Sequence, residues 1–147
     1  MMKNKMELTF SAIAENEALS RMVISAFLVR VNPTMGLISE VRTAVSEAVT
    51  NAIVHAYRER GEGVVVLRAA LDEDRILIEI EDFGCGIADI EQAMTPFYTS
   101  QPEKERSGMG FSLMQSFMDG VEVESYPGKG TRISMTKLLG EDEVDAV

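Results

Sequence analysis

The sequence VVVLRAALDEDRILIEIEDFGCG, residues 64–86, carries the strongest fold signal in the chain. Two runs of β-branched and aliphatic residues, Val64–Leu71 and Ile76–Asp82, flank a short acidic turn at 72–74. Apolar runs of this length around a polar turn predict an antiparallel hairpin. An acid followed by glycines at 84 and 86 ends the second run, and this pattern suits a backbone that approaches a ligand closely. Taken alone, the same pattern is also compatible with a plain turn.

Two long helices are predicted before this hairpin. The first, Glu15–Val31, has apolar residues at helical spacing and ends at the pair Asn32–Pro33, because proline disfavours helical geometry in the preceding residue. The second runs to about Arg60, with Thr34 and Ser39 as candidate N-caps.

The remaining predictions define the fold class. Residues 95–110 lack apolar periodicity, so we expect a lid, a binding segment or disorder there. Together the elements predict one α+β domain over residues 1–147, with a disordered tail at 141–147. Its architecture is a two-layer α/β sandwich with a mostly antiparallel mixed sheet and helices on one face. The other predicted elements are a strand over Glu7–Ala12, a short helix near Asp89–Met94 and a helix over Phe111–Met118. The last predicted element is a second hairpin, formed by strands over Val121–Tyr126 and Thr131–Leu138 around the turn at 127–130.

The charge balance restricts the partners of the protein. The 147 residues contain 14 Lys and Arg against 24 Asp and Glu, for a formal net charge of −10. Because phosphate contacts need clustered basic side chains, this charge argues against direct nucleic-acid binding. A basic protein partner would instead be attracted by the field of the acidic surface.

The single cysteine, the single histidine and the short apolar run exclude disulfide-bonded, zinc-binding and membrane-spanning proteins. Cys85 is the only cysteine and His55 the only histidine, so neither a disulfide framework nor a cysteine-rich zinc site is possible. The apolar run Met22–Val29 has eight residues, whereas a membrane span needs about 20. We expect a cytoplasmic protein without a signal peptide or a membrane segment.

A polar stripe on the second helix is the first candidate for chemistry. Glu47, Asn51 and His55 are spaced four residues apart, beside an apolar stripe that includes Ala44 and Ala48. A carboxylate and an amide at the edge of the core would be partly desolvated, and the small alanines leave room for a ligand. The alternative is an ordinary solvated helix face, and we interpret His55 as structural.

A glycine segment before the predicted helix at 111 is a candidate anion site. The sequence SGMG, residues 107–110, follows Arg106 and would leave backbone N–H groups exposed at a helix N-terminus, as phosphate binding requires. A flexible hinge with an N-cap is the alternative. The spacing does not match the P-loop pattern.

These features together resemble a known family. An acid and an amide on a helix, acid-Gly-x-Gly after a strand, Gly-x-Gly before a helix, and Gly-Thr in a hairpin resemble the Bergerat ATP-binding domain of gyrase, Hsp90, histidine kinases and MutL. The resemblance covers residues 40–135. Within this superfamily, EAVTNA at 47–52 with HAY at 55–57 and RSGMGFSLM at 106–114 are similar to the anti-sigma serine kinases. The last stretch is especially similar to the anti-sigma F factors of endospore-forming bacteria. Met109 and Phe111 depart from the leucine-rich glycine motif of histidine kinases, which argues against histidine-kinase activity.

The resemblance implies roles for the nucleotide-binding residues. Asp82 would accept a hydrogen bond from the adenine amino group, with Thr131 supporting that contact. Gly84 and Gly86 would let the base lie close to the backbone. Asn51 would bind Mg²⁺ through its side-chain oxygen, together with phosphate oxygens of ATP or ADP.

The resemblance also implies the phosphate-binding and catalytic residues. Arg106 would neutralise charge on the γ-phosphate, and Glu47 would orient and deprotonate a serine hydroxyl. The residues that would surround the phosphates are Ser107, Gly108, Met109 and Gly110.

The implied function is that of an anti-sigma factor and ATP-dependent serine kinase. Such a protein binds and inhibits a sporulation sigma factor, phosphorylates a serine of an anti-anti-sigma protein, and acts as a homodimer. One alternative is a kinase that controls a stress-response sigma factor. Another is a nucleotide-gated binding module without catalytic activity.

Overall fold

The computed structural model describes residues 2–57, 62–94 and 110–140. Within these ranges a five-stranded sheet is covered on one face by helices. The strands are β1 (Met2–Ser11), β2 (Val64–Asp72), β3 (Arg75–Asp82), β4 (Gly120–Tyr126) and β5 (Gly130–Leu138). The α-helices are α1 (Glu15–Leu28), α2 (Met35–Asn51), α3 (Ile90–Ala93) and α4 (Gly110–Phe117).

The sheet has the strand order β1-β2-β3-β5-β4, and each pairing between these strands is antiparallel. Both predicted hairpins are therefore confirmed. β3 lies between β2 and β5, so the acid at its end is placed inside the sheet, directly opposite Thr131 of β5. The α+β sandwich with an antiparallel sheet confirms the predicted fold class.

The core lies between the helices and one face of the sheet. The alanines at 44, 48 and 52 on the second helical segment are fully or almost fully buried, as the apolar stripe predicts. Small side chains bring this helix close to the sheet. The sheet contributes the other side of the core through every second residue of its strands, because residues two apart point to the same face. Its fully buried large side chains include Leu67, Ile78, Ile80, Ile133 and Met135.

The helix boundaries show where local contacts modify the predicted elements. Thr34 is the N-cap of α2, since its Oγ1 accepts a hydrogen bond from the Leu37 N–H at 3.1 Å. Ser39 lies inside that helix. After α1 the chain forms a 3₁₀ turn over Val29–Val31 and then reverses at Asn32, whose φ is 52°.

Two further differences have physical reasons. β1 begins at Met2 rather than Glu7, because main-chain pairing with β2 extends the strand beyond its apolar alternation. α2 continues as a π-helical turn over Ala52–Ala56. The predicted helix end near Arg60, residues 95–109 of the predicted loop, and the tail at 141–147 lie outside the described residues. Among the described helices, none has both the length and the apolarity needed to cross a bilayer.

Candidate functional site

Asp82 is a buried acid at the end of β3. Its side chain accepts a hydrogen bond from the Gly84 N–H at 3.0 Å, and the backbone N–H of Thr131 also donates to it. The residue is 4% exposed, and burial raises the pKa of its carboxyl group to about 6. Within the described part of the chain this carboxylate has no cationic partner. It is therefore available as a hydrogen-bond acceptor for an uncharged N–H group.

The glycines after Asp82 are required by the protein's own backbone. A Cβ at Gly84 would overlap the carbonyl group of Ala56, and one at Gly86 would overlap the carbonyl oxygen of Tyr126. Gly86 also has a φ of 77°, which favours glycine. These positions allow the loop after β3 to pass between the end of the second helical segment and the end of β4.

Hydrogen bonds fix this loop on both sides. The Cys85 N–H donates to the Ala56 carbonyl at 2.8 Å, and the Cys85 carbonyl accepts from the Gly128 N–H at 2.7 Å. The Tyr57 hydroxyl accepts from the Phe83 N–H and donates to the Val64 carbonyl, both at 2.7 Å. The backbone around the acid is thus held by two separate segments, Ala56–Tyr57 and the turn at Gly128.

The second helical segment carries the predicted polar stripe. Glu47 and Asn51 are half-buried beside the alanine stripe, and Asn51 is the last residue of α2 before the π-helical turn. That turn packs against β3 and β5. Its carbonyl groups at His55 and Ala56 accept hydrogen bonds from Cys85, which join the end of this turn to the loop after β3.

A pair of hydroxyl groups lies beside the acid. Thr131 is 5% exposed, and its Oγ1 is 2.8 Å from the Oγ of Ser125 on β4. The Ser125 hydroxyl also accepts a hydrogen bond from the Ile87 N–H at 2.7 Å. Sequence analysis missed Ser125. The signal that could have found it is the alternating sequence VEVES, residues 121–125. Its core-facing positions are Val, Val and then Ser, so a polar residue stands where the pattern predicts an apolar one.

The phosphate segment lies mostly outside the described residues. Gly110 is the first residue of α4 and is half-buried, and α4 packs against α2. The predicted roles of Arg106, Ser107, Gly108 and Met109 fall on positions beyond the described ranges. Of the predicted site residues, the structure brings together Asp82, Gly84, Gly86 and Thr131. The polar residues Glu47 and Asn51 of α2 lie in the adjoining helix layer.

The described residues offer few ligands for a divalent cation. In the described ranges no group of three or more His, Cys, Asp or Glu side chains is arranged to bind a metal. Asn51 offers one amide oxygen, a ligand type that suits Mg²⁺. This donor set fits an ion that takes most of its ligands from phosphate oxygens and water.

Comparison with known proteins places the fold in a class. Residues 10–137 match the family described as "Histidine kinase-like ATPase domain". The RsbU and RsbW domains of a Mycobacterium tuberculosis protein superpose with a TM-score of 0.69 at 17% identity, covering 98% of this chain and 35% of that one. A blue-light activated histidine kinase of Erythrobacter litoralis gives 0.50 at 26% identity, covering 69% and 30%. The fold is that of an ATPase domain, and membership of this family implies nucleotide binding.

Relatives of the same length narrow the assignment. The anti-sigma F factor of Clostridium acetobutylicum is 52% identical over 93% of this chain and 95% of its own. Those of Oceanobacillus iheyensis and Bacillus subtilis are 48% and 46% identical, each over 97% of both chains. The chain belongs to the anti-sigma F factor family within the histidine kinase-like ATPases. The resemblance on which the sequence analysis relied is confirmed.

Proposed function

We propose that this protein is an anti-sigma factor and an ATP-dependent serine kinase that acts in the cytoplasm as a homodimer. One observation carries the proposal. A buried carboxylate with no cationic partner among the described residues lies at the end of β3, beneath a helix layer with a half-buried Glu and Asn. The chain is about half identical to anti-sigma F factors.

Asp82 supplies the specificity for adenine. The Gly84 and Thr131 N–H groups already donate to its carboxylate, and the remaining oxygen capacity takes the exocyclic amino group of the base. A guanine would present a carbonyl oxygen at the same place, so that this oxygen and the Asp82 carboxylate, both acceptors, would face one another. The loop of Gly84 and Gly86 forms one wall of this subsite.

Asn51 would hold Mg²⁺ together with the nucleotide phosphates. The bound ion would supply positive charge for the phosphate oxygens and align the γ-phosphoryl group. Ser107, Gly108, Met109 and Gly110 would donate backbone N–H groups to the phosphates, as their position before α4 favours.

Glu47 is the proposed general base. It lies one helical turn before Asn51 on the same face of α2, so the groups for the hydroxyl and for the phosphates are adjacent. The serine oxygen attacks the γ-phosphorus, its proton passes to the Glu47 carboxylate, and ADP leaves. Arg106 would neutralise the charge that develops on the transferred group.

The proposed protein partners follow from the relatives and from charge. The relatives are named for sigma F, so we propose a sporulation sigma factor as the inhibited partner, and an anti-anti-sigma protein as the phosphate acceptor. A formal charge of −10 favours association with basic surfaces. A stress-response sigma factor is the alternative partner, and the sigma factor that co-purifies decides between them.

The kinase proposal is tested with ATP labelled at the γ-phosphate, Mg²⁺ and a candidate anti-anti-sigma protein. We expect wild type and the surface control Glu122→Gln to label a partner serine. Glu47→Gln should bind ATP normally and lose transfer by about 10²-fold or more, since a positioned base contributes 10²–10⁴.

Each other outcome excludes a different part of the proposal. Unchanged transfer by Glu47→Gln would show that Glu47 is not the base. Absence of transfer by the wild type, with ATP bound and the sigma factor held, would identify a nucleotide-gated binding module. Absence of ATP binding would remove the proposed function as a whole.

A further inference from the structure

Ser125 is a half-buried residue of β4, and its hydroxyl group has no part in the mechanism proposed above. Its Oγ is 2.7 Å from the Ile87 nitrogen, 2.8 Å from the Thr131 Oγ1 and 3.1 Å from the Gly130 carbonyl oxygen. It therefore connects the loop after β3 with the first two residues of β5. These are the two segments that contribute backbone N–H groups to Asp82.

The proton count restricts how these groups can be arranged. A serine hydroxyl has one proton and two lone pairs, and the Ile87 N–H occupies one lone pair. If Ser125 donates its proton to Thr131, the Thr131 hydroxyl keeps its own proton for another acceptor. If Ser125 donates to the Gly130 carbonyl instead, Thr131 donates to Ser125 and can only accept. The distance to Thr131 is the shorter of the two.

The acceptor that matches the first arrangement is a ring nitrogen beside an amino group. Asp82 and Thr131 are direct cross-strand partners, so their side chains are neighbours on the helix-covered face of the sheet. Adenine presents an amino donor at position 6 next to an acceptor nitrogen at position 1. An acceptor carboxylate and a donor hydroxyl side by side complement this edge.

We propose that Ser125 is a positioning residue of the adenine subsite: it orients the Thr131 hydroxyl as a donor toward adenine N1 and fixes the Ile87 N–H of the adjoining loop. The inference rests on the proposed binding of adenine nucleotide at Asp82. It adds a residue that touches no ligand but determines which atom of the base its neighbour recognises.

The test measures the affinity of the full chain for ATP and for 1-deaza-ATP, which lacks the N1 acceptor. We expect Ser125→Ala to weaken ATP binding about tenfold, since the part-buried Ile87 N–H loses its acceptor and Thr131 loses its orientation. The loss for 1-deaza-ATP should be clearly smaller. Ser125→Thr, which retains a hydroxyl, should restore the preference for ATP. In Ser125→Ala combined with Thr131→Val, the two losses should be less than additive.

Ser134→Ala is the matched control, because Ser134 lies on β5 between the core-facing residues Ile133 and Met135 and so points to the other face. It should bind both nucleotides like the wild type. Unchanged ATP affinity in Ser125→Ala would overturn the inference, as would equal losses for both nucleotides. If the wild type itself fails to bind ATP, or if Asp82→Asn binds it normally, the proposed adenine site fails first. Circular dichroism and thermal melting of each variant separate both cases from a folding defect.

Discussion

Two neighbouring acids on β3 have opposite surroundings. Glu81 points to the open face of the sheet, where its carboxylate lies 2.8 Å from the Arg68 guanidinium. Asp82 points to the helix-covered face, where the backbone N–H groups of Gly84 and Thr131 are its donors within the described residues. An acid that is paired with a cation has its charge satisfied within the protein. An acid that is buried among weaker donors retains acceptor capacity and an elevated pKa, and can bind a ligand.

The same contrast extends over the whole sheet. On the open face Arg68 bridges Glu7 and Glu81, and Arg132 bridges Glu79 and Glu124. The covered face is mainly aliphatic, and its buried charged residues in the described part of the chain are Asp82 and Lys137. The Lys137 ammonium group donates to the Phe117 carbonyl and lies 3.6 Å from the Glu40 carboxylate. These acids of the open face are thus paired with arginines, and Lys137 on the covered face lies near Glu40, whereas Asp82 has no cationic partner among the described residues.

The largest expected effect is on the affinity for ATP, and it tests whether Asp82, and not Glu81, binds the ligand. Asp82→Asn replaces an acceptor oxygen by an NH₂ group, which would face the amino group of adenine. We expect the affinity for ATP to fall about a hundredfold, as the loss of a hydrogen bond to a charged group predicts. Calorimetric titration measures it, and Glu81→Gln, one residue earlier, should leave the affinity within about threefold. Equal effects of the two substitutions would contradict the distinction between them.

The second prediction concerns pH. Burial raises the pKa of Asp82 to about 6 from its ordinary value of 3.8. Between these values the folded protein binds a proton that the unfolded chain releases, so this group lowers the free energy of unfolding as pH rises through that range. The effect is absent below about pH 4 and complete above about pH 6.

Asp82→Asn should therefore gain stability relative to the wild type by about 2 kcal/mol between pH 4 and pH 7. Urea unfolding at both pH values measures this difference, with Glu81→Gln as the reference variant. A difference that is constant with pH would show that the carboxyl group of Asp82 does not titrate in this range.

The third prediction concerns the loop that supplies a donor to Asp82. A Cβ at Gly84 would overlap the Ala56 carbonyl, so Gly84→Ala must displace the π-helical turn or the loop. We expect a loss of about 1–3 kcal/mol in the free energy of unfolding, as for other overpacked sites. Gly140→Ala is the control, since a Cβ there meets nothing within 4 Å. Similar melting temperatures for both variants would show that the close approach is not rigid.

The smallest effect is expected on the open face. Arg68→Met removes the ion pairs with Glu7 and Glu81, which are partly exposed and screened by solvent. We expect the free energy of unfolding to fall by no more than about 1 kcal/mol and the ATP affinity to stay unchanged. Chemical denaturation and the same calorimetric titration measure both quantities. A marked loss of nucleotide affinity would show that the two faces are energetically coupled.

Much of this fold was accessible from local patterns. Strand-like runs around turns predicted both hairpins, and Thr34, one of the two candidate N-caps, is the residue at which α2 starts. The spacing of Glu47 and Asn51 beside the alanines predicted their partial burial. These features depend on residues that are close in sequence, where periodicity and capping operate.

The parts that sequence analysis missed depend on distant contacts. The π-helical turn is coupled to Cys85, Tyr57 contacts Phe83 26 residues away, and Ser125 contacts Ile87 38 residues away. No local pattern specifies such partners. The resemblance placed Asp82 and Thr131 in one site, but only the pairing of β3 with β5 brings them side by side.

The strand order has a consequence for amide hydrogen exchange. β3 is the central strand with two strands on either side, whereas β1 and β4 form the edges of the sheet in the described residues. Amide protons of β3 can therefore reach solvent only when neighbouring strands separate, which is close to complete unfolding. The acid that would bind the base is thus attached to the most protected strand. A nucleotide bound there would slow exchange throughout the domain, because it stabilises the state in which every strand is paired.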